Sequence, residues 1–159
     1  MIRTRLVVSC ATLIASLIAE VAIGQGPPPA MGITTVVSAT SFDSTLSRLE
    51  RAAVGRGLGI AAKIDHAAAA QKANLTLRPT TLVIAGNPVA GTPLMQTDQT
   101  MAVELPLRFL VWEGEDGKAR VSYEPIRAIA ARHKLAGRDE LLTRMTGAIE
   151  AIVAAATAR

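Results

Sequence analysis

The sequence predicts an α+β fold, a mostly antiparallel sheet with helices packed on one face in the order β-α-β(4)-α. Three observations carry this: β-branched runs recur along the chain, only two long stretches have helical periodicity, and the second half has strands in direct succession. A chain of 159 residues is enough for one core without metal or disulfide staples.

The first 26 residues, "MIRTRLVVSCATLIASLIAEVAIGQG", have two arginines, an apolar stretch from Leu6 to Ala19 and small residues at Ala22 and Gly24. This is the three-part pattern of a secretory signal, too short to span a bilayer. Residues 1–24 are therefore expected to be a signal peptide cleaved near Gly24–Gln25, with the mature protein periplasmic or secreted and free of the membrane; the alternative is a segment kept as a membrane anchor. Cys10 falls inside the leader, so the mature chain has no thiol for disulfides, catalysis or metal binding. Residues 25–32 contain "GPPP", an extended linker, and residues 33–159 form the single domain.

Within that domain "ITTVVSA" reads as the first strand. Ser41 then caps a helix whose Leu46, Leu49 and Ala53 share one face, and Gly55, Gly57 and Gly59 end it. "IAAKIDH" reads as a strand, "AAAAQKANL" as a short helix, and "TLRPTTLVIAGN" as a strand again. From Met101 to Glu113, "MAVELPLRFLVWE" is β-like throughout, so Pro106 requires a bulge or an edge. Asp116-Gly117 is a hairpin turn leading to a strand through Val121 and Tyr123. The remainder gives two helical pieces broken at Gly137, the second with Leu141, Leu142, Met145, Ile149, Ile152 and Val153 on one face.

Both sides of the pleat in "TTLVIAG" and "LRFLVWE" are apolar, which predicts that the second sheet face is buried in a homodimer. Nucleic acid is a poor partner for this chain. Its net charge is +4, but the basic residues are scattered among acids and only 3% of residues are aromatic.

Few residues carry chemistry. "AGNPVAGTPL" has the GxxxxG spacing of a phosphate loop at Gly86 and Gly91. However, Thr92 stands where the lysine should be, and Pro88 and Pro93 each remove a backbone donor. It reads most simply as a turn. Asp65-His66 could be a carboxylate–imidazole pair, or a helix N-cap and its first-turn neighbour. Arg78 is either half of an ion pair with Glu104 or Asp65, or an anion-recognising group beside Asn87 with Tyr123 nearby. His133 sits near a helix end, where the macrodipole accounts for it. No metal site is expected: His66 and His133 lack ligand spacing, and Asp65, Asp98, Glu104 or Glu124 would have to complete one. The serines lack a nucleophile-elbow context, and no cofactor is identifiable.

The short pieces "IDH", "LRPT", "GNP", "GTPLM", "ELP" and "ARHKL", in this order, make the region from about residue 33 to 136 resemble the DUF302 family. The resemblance implies the β-α-β(4)-α arrangement, like half of a TATA-binding-protein saddle, and a dimer. It implies no reaction, because the family's biochemical role is not established. Ala85 replaces the family's usual Phe before Gly-Asn-Pro, and Glu104 replaces Asp before Leu-Pro, so an aromatic contact at the first position is absent.

The functional expectation is a non-catalytic small-ligand-binding or accessory module. The alternatives are a small periplasmic enzyme using His66 as general base and a purely structural dimer. A small anionic or polar ligand is expected where the "GNPVAGTPL" loop meets Asp65, His66 and Arg78, with Asn87, Thr92 and Tyr123 contributing.

Overall fold

A computed structural model describes residues 32–159. The expected signal peptide and nearly all of the linker lie outside the described residues. The chain folds as β1 (Thr34–Val37), α1 (Phe42–Gly55), β2 (Gly59–Asp65), α2 (His66–Lys72), β3 (Thr80–Gly86), α3 (Pro88–Thr97), a 3-10 turn (Gln99–Val103), β4 (Leu107–Glu113), β5 (Ala119–Tyr123), α4 (Ile126–Ala130) and α5 (Asp139–Thr157). The strands form one antiparallel sheet in the order β1-β5-β4-β3-β2. β1 and β2 are the two edges, so the α1 connection has to cross the sheet. The α+β class and the five strands are as expected.

Alternation explains the layering. Val83 and Ala85 of β3, Phe109 and Val111 of β4 and Val121 of β5 point to the helical face. There they meet Leu49 and Ala53 of α1 and Ile149, Ile152 and Ala156 of α5. These side chains are almost fully buried, and each contributes roughly 1.5–3 kcal/mol if large. The opposite face carries Val37, Ile64, Leu82, Ile84, Leu110 and Trp112. Val37 is 51% exposed and Ile64 40%, so this face stays apolar and partly open.

Two expectations need correction. The β-like stretch from Met101 is not a strand along its whole length: Met101 lies in the 3-10 turn, and β4 begins only at Leu107. Pro106 precedes the strand, so β4 needs neither a bulge nor an edge and sits in the sheet's centre. Propensity hid this boundary, because Met, Ala and Val suit a turn as well as a strand. The sheet's irregularity instead falls in β2, between Ile60 and Ala62.

The second correction concerns "AGNPVAGTPL", which is the end of a strand followed by a ten-residue helix. Asn87 is the N-cap, its Oδ1 accepting the Val89 N–H at 2.8 Å, and Pro88 occupies the first helical turn, where its missing N–H costs nothing. Gly86 is required for close approach, since a Cβ there would meet the Pro106 Cβ at 2.9 Å. The first helical piece is shorter than expected, α4 ending at Ala130, and Gly137, at φ +74°, turns the chain just before α5.

Candidate functional site

The six residues expected to form a site do not converge. Asp65 pairs with Thr81 at one end of the β2–β3 pair, whereas Gly59 pairs with Gly86 at the other. At about 3.3 Å per residue, Asp65, His66 and Arg78 lie about 20 Å from Asn87 and Thr92. Strand β3 is the reason: seven extended residues carry the chain across the sheet between them. The proposed meeting of the loop with Asp65, His66 and Arg78 is therefore corrected.

Asp65 caps α2, its Oδ1 accepting the Ala68 N–H at 2.9 Å, and His66 is an exposed first-turn residue. A carboxylate engaged in capping does not orient the neighbouring imidazole. Arg78 is not enclosed. Its Nε donates to the Glu113 carbonyl at 3.1 Å, and its only carboxylate neighbour among the described residues is the highly exposed Glu115 at 3.7 Å. Arg78→Ala is accordingly expected to cost no more than about 1 kcal/mol in a urea titration. A loss above 3 kcal/mol, the size of a broken buried pair, would contradict this placement. Tyr123 lies on the helical face with its ring centroid 6.3 Å from that of Phe109. Burial, and then the charge of Glu150, push its hydroxyl pKa up.

Asn87 and Thr92 do line a cavity, of about 610 Å³. It opens where α3, the C-terminal end of α1, the start of β2 and the Leu105–Leu107 segment face α5. Helix α5 supplies one wall through Leu141, Met145, Ala148 and Ile152, a stripe at spacings of three or four residues. The apolar face read from the sequence is thus divided: Leu142 and Val153 fill the core, Ile149 and Ile152 are buried in the core and also border the cavity, and Leu141 and Met145 remain half-buried at it. Gly91 contributes by absence, since a Cβ there would press on Leu105 Cδ1 at 3.3 Å. Among the described residues Arg56 and Arg144 are the only charged ones on the lining, and both are exposed.

The helix start beside this cavity is not a phosphate cradle. The Val89, Ala90 and Gly91 N–H groups are all taken by Asn87, and Pro88 has none.

A second cluster, missed by the sequence reading, brings "ELP" and "ARHKL" together. Arg132 donates to Glu104 through Nε at 3.2 Å and Nη2 at 2.9 Å, and also to Glu124. Arg108 reaches the other Glu104 oxygen at 3.3 Å. The His133 ring is inserted between two acids, Nδ1 3.4 Å from Asp98 and Nε2 3.7 Å from Glu104. Asp98 is held at a pKa of about 2 by the Thr100 hydroxyl and then by the Lys134 N–H, among smaller contributions. Glu104 is lowered chiefly by its hydrogen bonds from Arg132. The cluster clasps the segment after α4 to the 3-10 turn and the entry of β4, with no nucleophile presented to a substrate. The macrodipole of the five-residue α4 is therefore a lesser account of His133 than these two carboxylates. The motif order held the signal, but no local rule pairs residues 104 and 132. Among the described residues no group of three or more His, Cys, Asp or Glu side chains is arranged to hold a metal ion.

Fold and site together define a single-sheet α+β protein with an open apolar cavity beside its helical layer. The chain belongs to the family described as "Domain of unknown function DUF302", whose model matches residues 33–152. Among solved structures it is similar to the "uncharacterized conserved protein DUF302 from Bacillus stearothermophilus". That match has a TM-score of 0.65 and 20% identity over 80% of this chain and 97% of the other, a likeness of fold alone. Among curated proteins it is 39% identical over 104 residues to "Fluoride-specific ion channel FluC 1" of Brucella suis biovar 1 (strain 1330), covering 65% of this chain and 41% of that protein. The protein of the same name from Brucella abortus biovar 1 (strain 9-941) is also 39% identical over 104 residues, 38% of its length. The matched stretch thus spans about two fifths of these curated relatives.

Proposed function

We propose that this chain is a non-catalytic ligand-binding or accessory module, and that its binding site is the cavity between α3 and α5. The cavity is the single observation that carries this reading. Its 610 Å³ is within the range of small-molecule sites, its walls are mostly apolar, and Asn87 and Thr92 supply a few polar groups. The exposed His66, lacking an orienting carboxylate, gives little support to general base catalysis.

A neutral apolar dye, N-phenyl-1-naphthylamine, tests the site directly. Its fluorescence should rise on addition to the wild type and fail to rise with Ala148→Trp, which fills the cavity from a half-buried position on α5. Equal signals from both proteins, with circular dichroism unchanged, would place dye binding elsewhere.

The likeness to proteins named as fluoride channels favours the accessory part of the reading. Only a minor share of their length is matched. No helix among the described residues is long and apolar enough to cross a membrane. Ion conduction is therefore not proposed for this chain.

The same proposal has the module exported and dimeric. The leader pattern of residues 1–24 supports the first part, and the open apolar sheet face with Ile64, Leu82, Ile84 and Leu110 supports the second. Native mass spectrometry of the protein recovered outside the cytoplasm reads both. Two copies of a chain beginning near Gln25 are expected; a chain retaining Arg3 overturns the leader, and a monomer overturns the dimer.

A further inference from the structure

The charges of the cavity point to a ligand class. Among the described residues its lining has two guanidiniums, Arg56 from the end of α1 and Arg144 from α5, and not one carboxylate. A cleft with low-dielectric walls and charge of one sign concentrates ions of the other sign. Arg56 has no carboxylate partner among the described residues, and Arg144 has only Glu140, a 2.5 Å pair in which both side chains are largely exposed. Such a surface pair contributes little and is readily exchanged for another anion. The Asn87 side chain uses its oxygen for capping, and its amide nitrogen makes no hydrogen bond among the described residues, leaving a neutral donor on the same wall.

Apart from Thr92, the rest of the lining is Leu, Ile, Met, Ala, Pro and Gly. A bare hydrated anion gains nothing from such walls and would lose water to enter them. An amphiphile gains on both counts, because its body displaces water from apolar surface while its head stays at the exposed guanidiniums. A helix C-terminus accounts for one basic residue at position 56, but not for a second arginine brought to the same cavity by α5.

We propose that the cavity binds an amphipathic monoanion, an acyl or aryl body ending in a single oxyanion head, with Arg56 and Arg144 as the head-group residues. This rests on the reading of the cavity as the binding site. At about 30 Å³ per carbon, the size of a water's share of the liquid, a body of about ten to fourteen carbons takes roughly 300–420 Å³ and fits within the cavity's 610 Å³.

Displacement of the naphthylamine dye by dodecanoate, dodecyl phosphate, dodecanol, dodecylamine and sodium fluoride separates the outcomes. Dodecanoate should displace it at about one tenth the concentration that dodecanol needs, and fluoride should not displace it at all. The Arg56→Gln, Arg144→Gln double variant should bind the dye normally and lose the preference for the acid. Equal competition by dodecanol and dodecanoate would overturn the anion class while leaving the cavity as an apolar site. Competition by dodecylamine as strong as by dodecanoate would overturn it equally. Dye binding that survives Ala148→Trp would instead remove the cavity reading itself. A ranking of dodecyl phosphate, which carries about two charges at neutral pH, above dodecanoate would overturn the monoanion.

Discussion

Truncating Phe109 to alanine is expected to destabilise the fold by about 3–5 kcal/mol, the usual range for deleting a fully buried aromatic ring. Phe109 is 1% exposed on the central strand β4, paired in register with Val83 on one side and Tyr123 on the other. Little can collapse into the space, because sheet neighbours on both sides are fixed by backbone hydrogen bonds. Against a typical total of about 5–15 kcal/mol, the loss is a large fraction of the stability. Urea unfolding followed by tryptophan fluorescence reads it, since Trp112 is on the same strand. A change below 1 kcal/mol would show that the side chain is not at the centre of the core.

The second large effect is expected at Glu104. Glu104→Gln keeps the shape and removes the charge that Arg132 and Arg108 share. Loss of charge-assisted hydrogen bonds to a side chain only 15% exposed should cost about 1–3 kcal/mol at neutral pH. The dependence on pH has a definite sign. Arg132 lowers the folded pKa of Glu104 below its ordinary 4.5, so the stabilisation is complete above that value and is lost as pH falls below it. The gap between wild type and Glu104→Gln should therefore close on acidification. Asp98, lowered from 3.8 to about 2, adds a contribution in both proteins that persists to lower pH than that of an ordinary carboxylate. A gap that widens below pH 4 would mean that the carboxylate form of Glu104 is not what holds the clasp.

The cavity and the clasp were legible in the sequence to different degrees. Leu141 and Met145 are readable as apolar helix positions, but nothing in a 3.6-residue period separates those facing the core from those facing an open space. Glu104 and Arg132 were visible within the motif pieces that mark the family, and Asp98 and His133 were noticed as ionisable groups. Their meeting depends on the segment after α4 folding back onto the turn before β4, a contact between residues 28 to 36 positions apart. In the opposite direction, Asp65 next to His66 and Arg78 next to Pro79 attracted attention through local chemistry and proved to be a helix cap, an exposed ring and a surface guanidinium.

The sequence by itself determined what depends on near neighbours: the β-branched strands, the Ser41 cap, the Asp116-Gly117 turn, the turn at Gly137 and the α+β order. These follow from backbone sterics, capping and alternation, all acting within a few residues. Only the tertiary structure decided which ends of the strands share a site. An antiparallel strand of seven residues moves its two flanks about 20 Å apart, so the residues before β3 and those after it belong to different surfaces. The same packing brought Arg56, at the end of the first helix, and Arg144, on the last, to one apolar cavity.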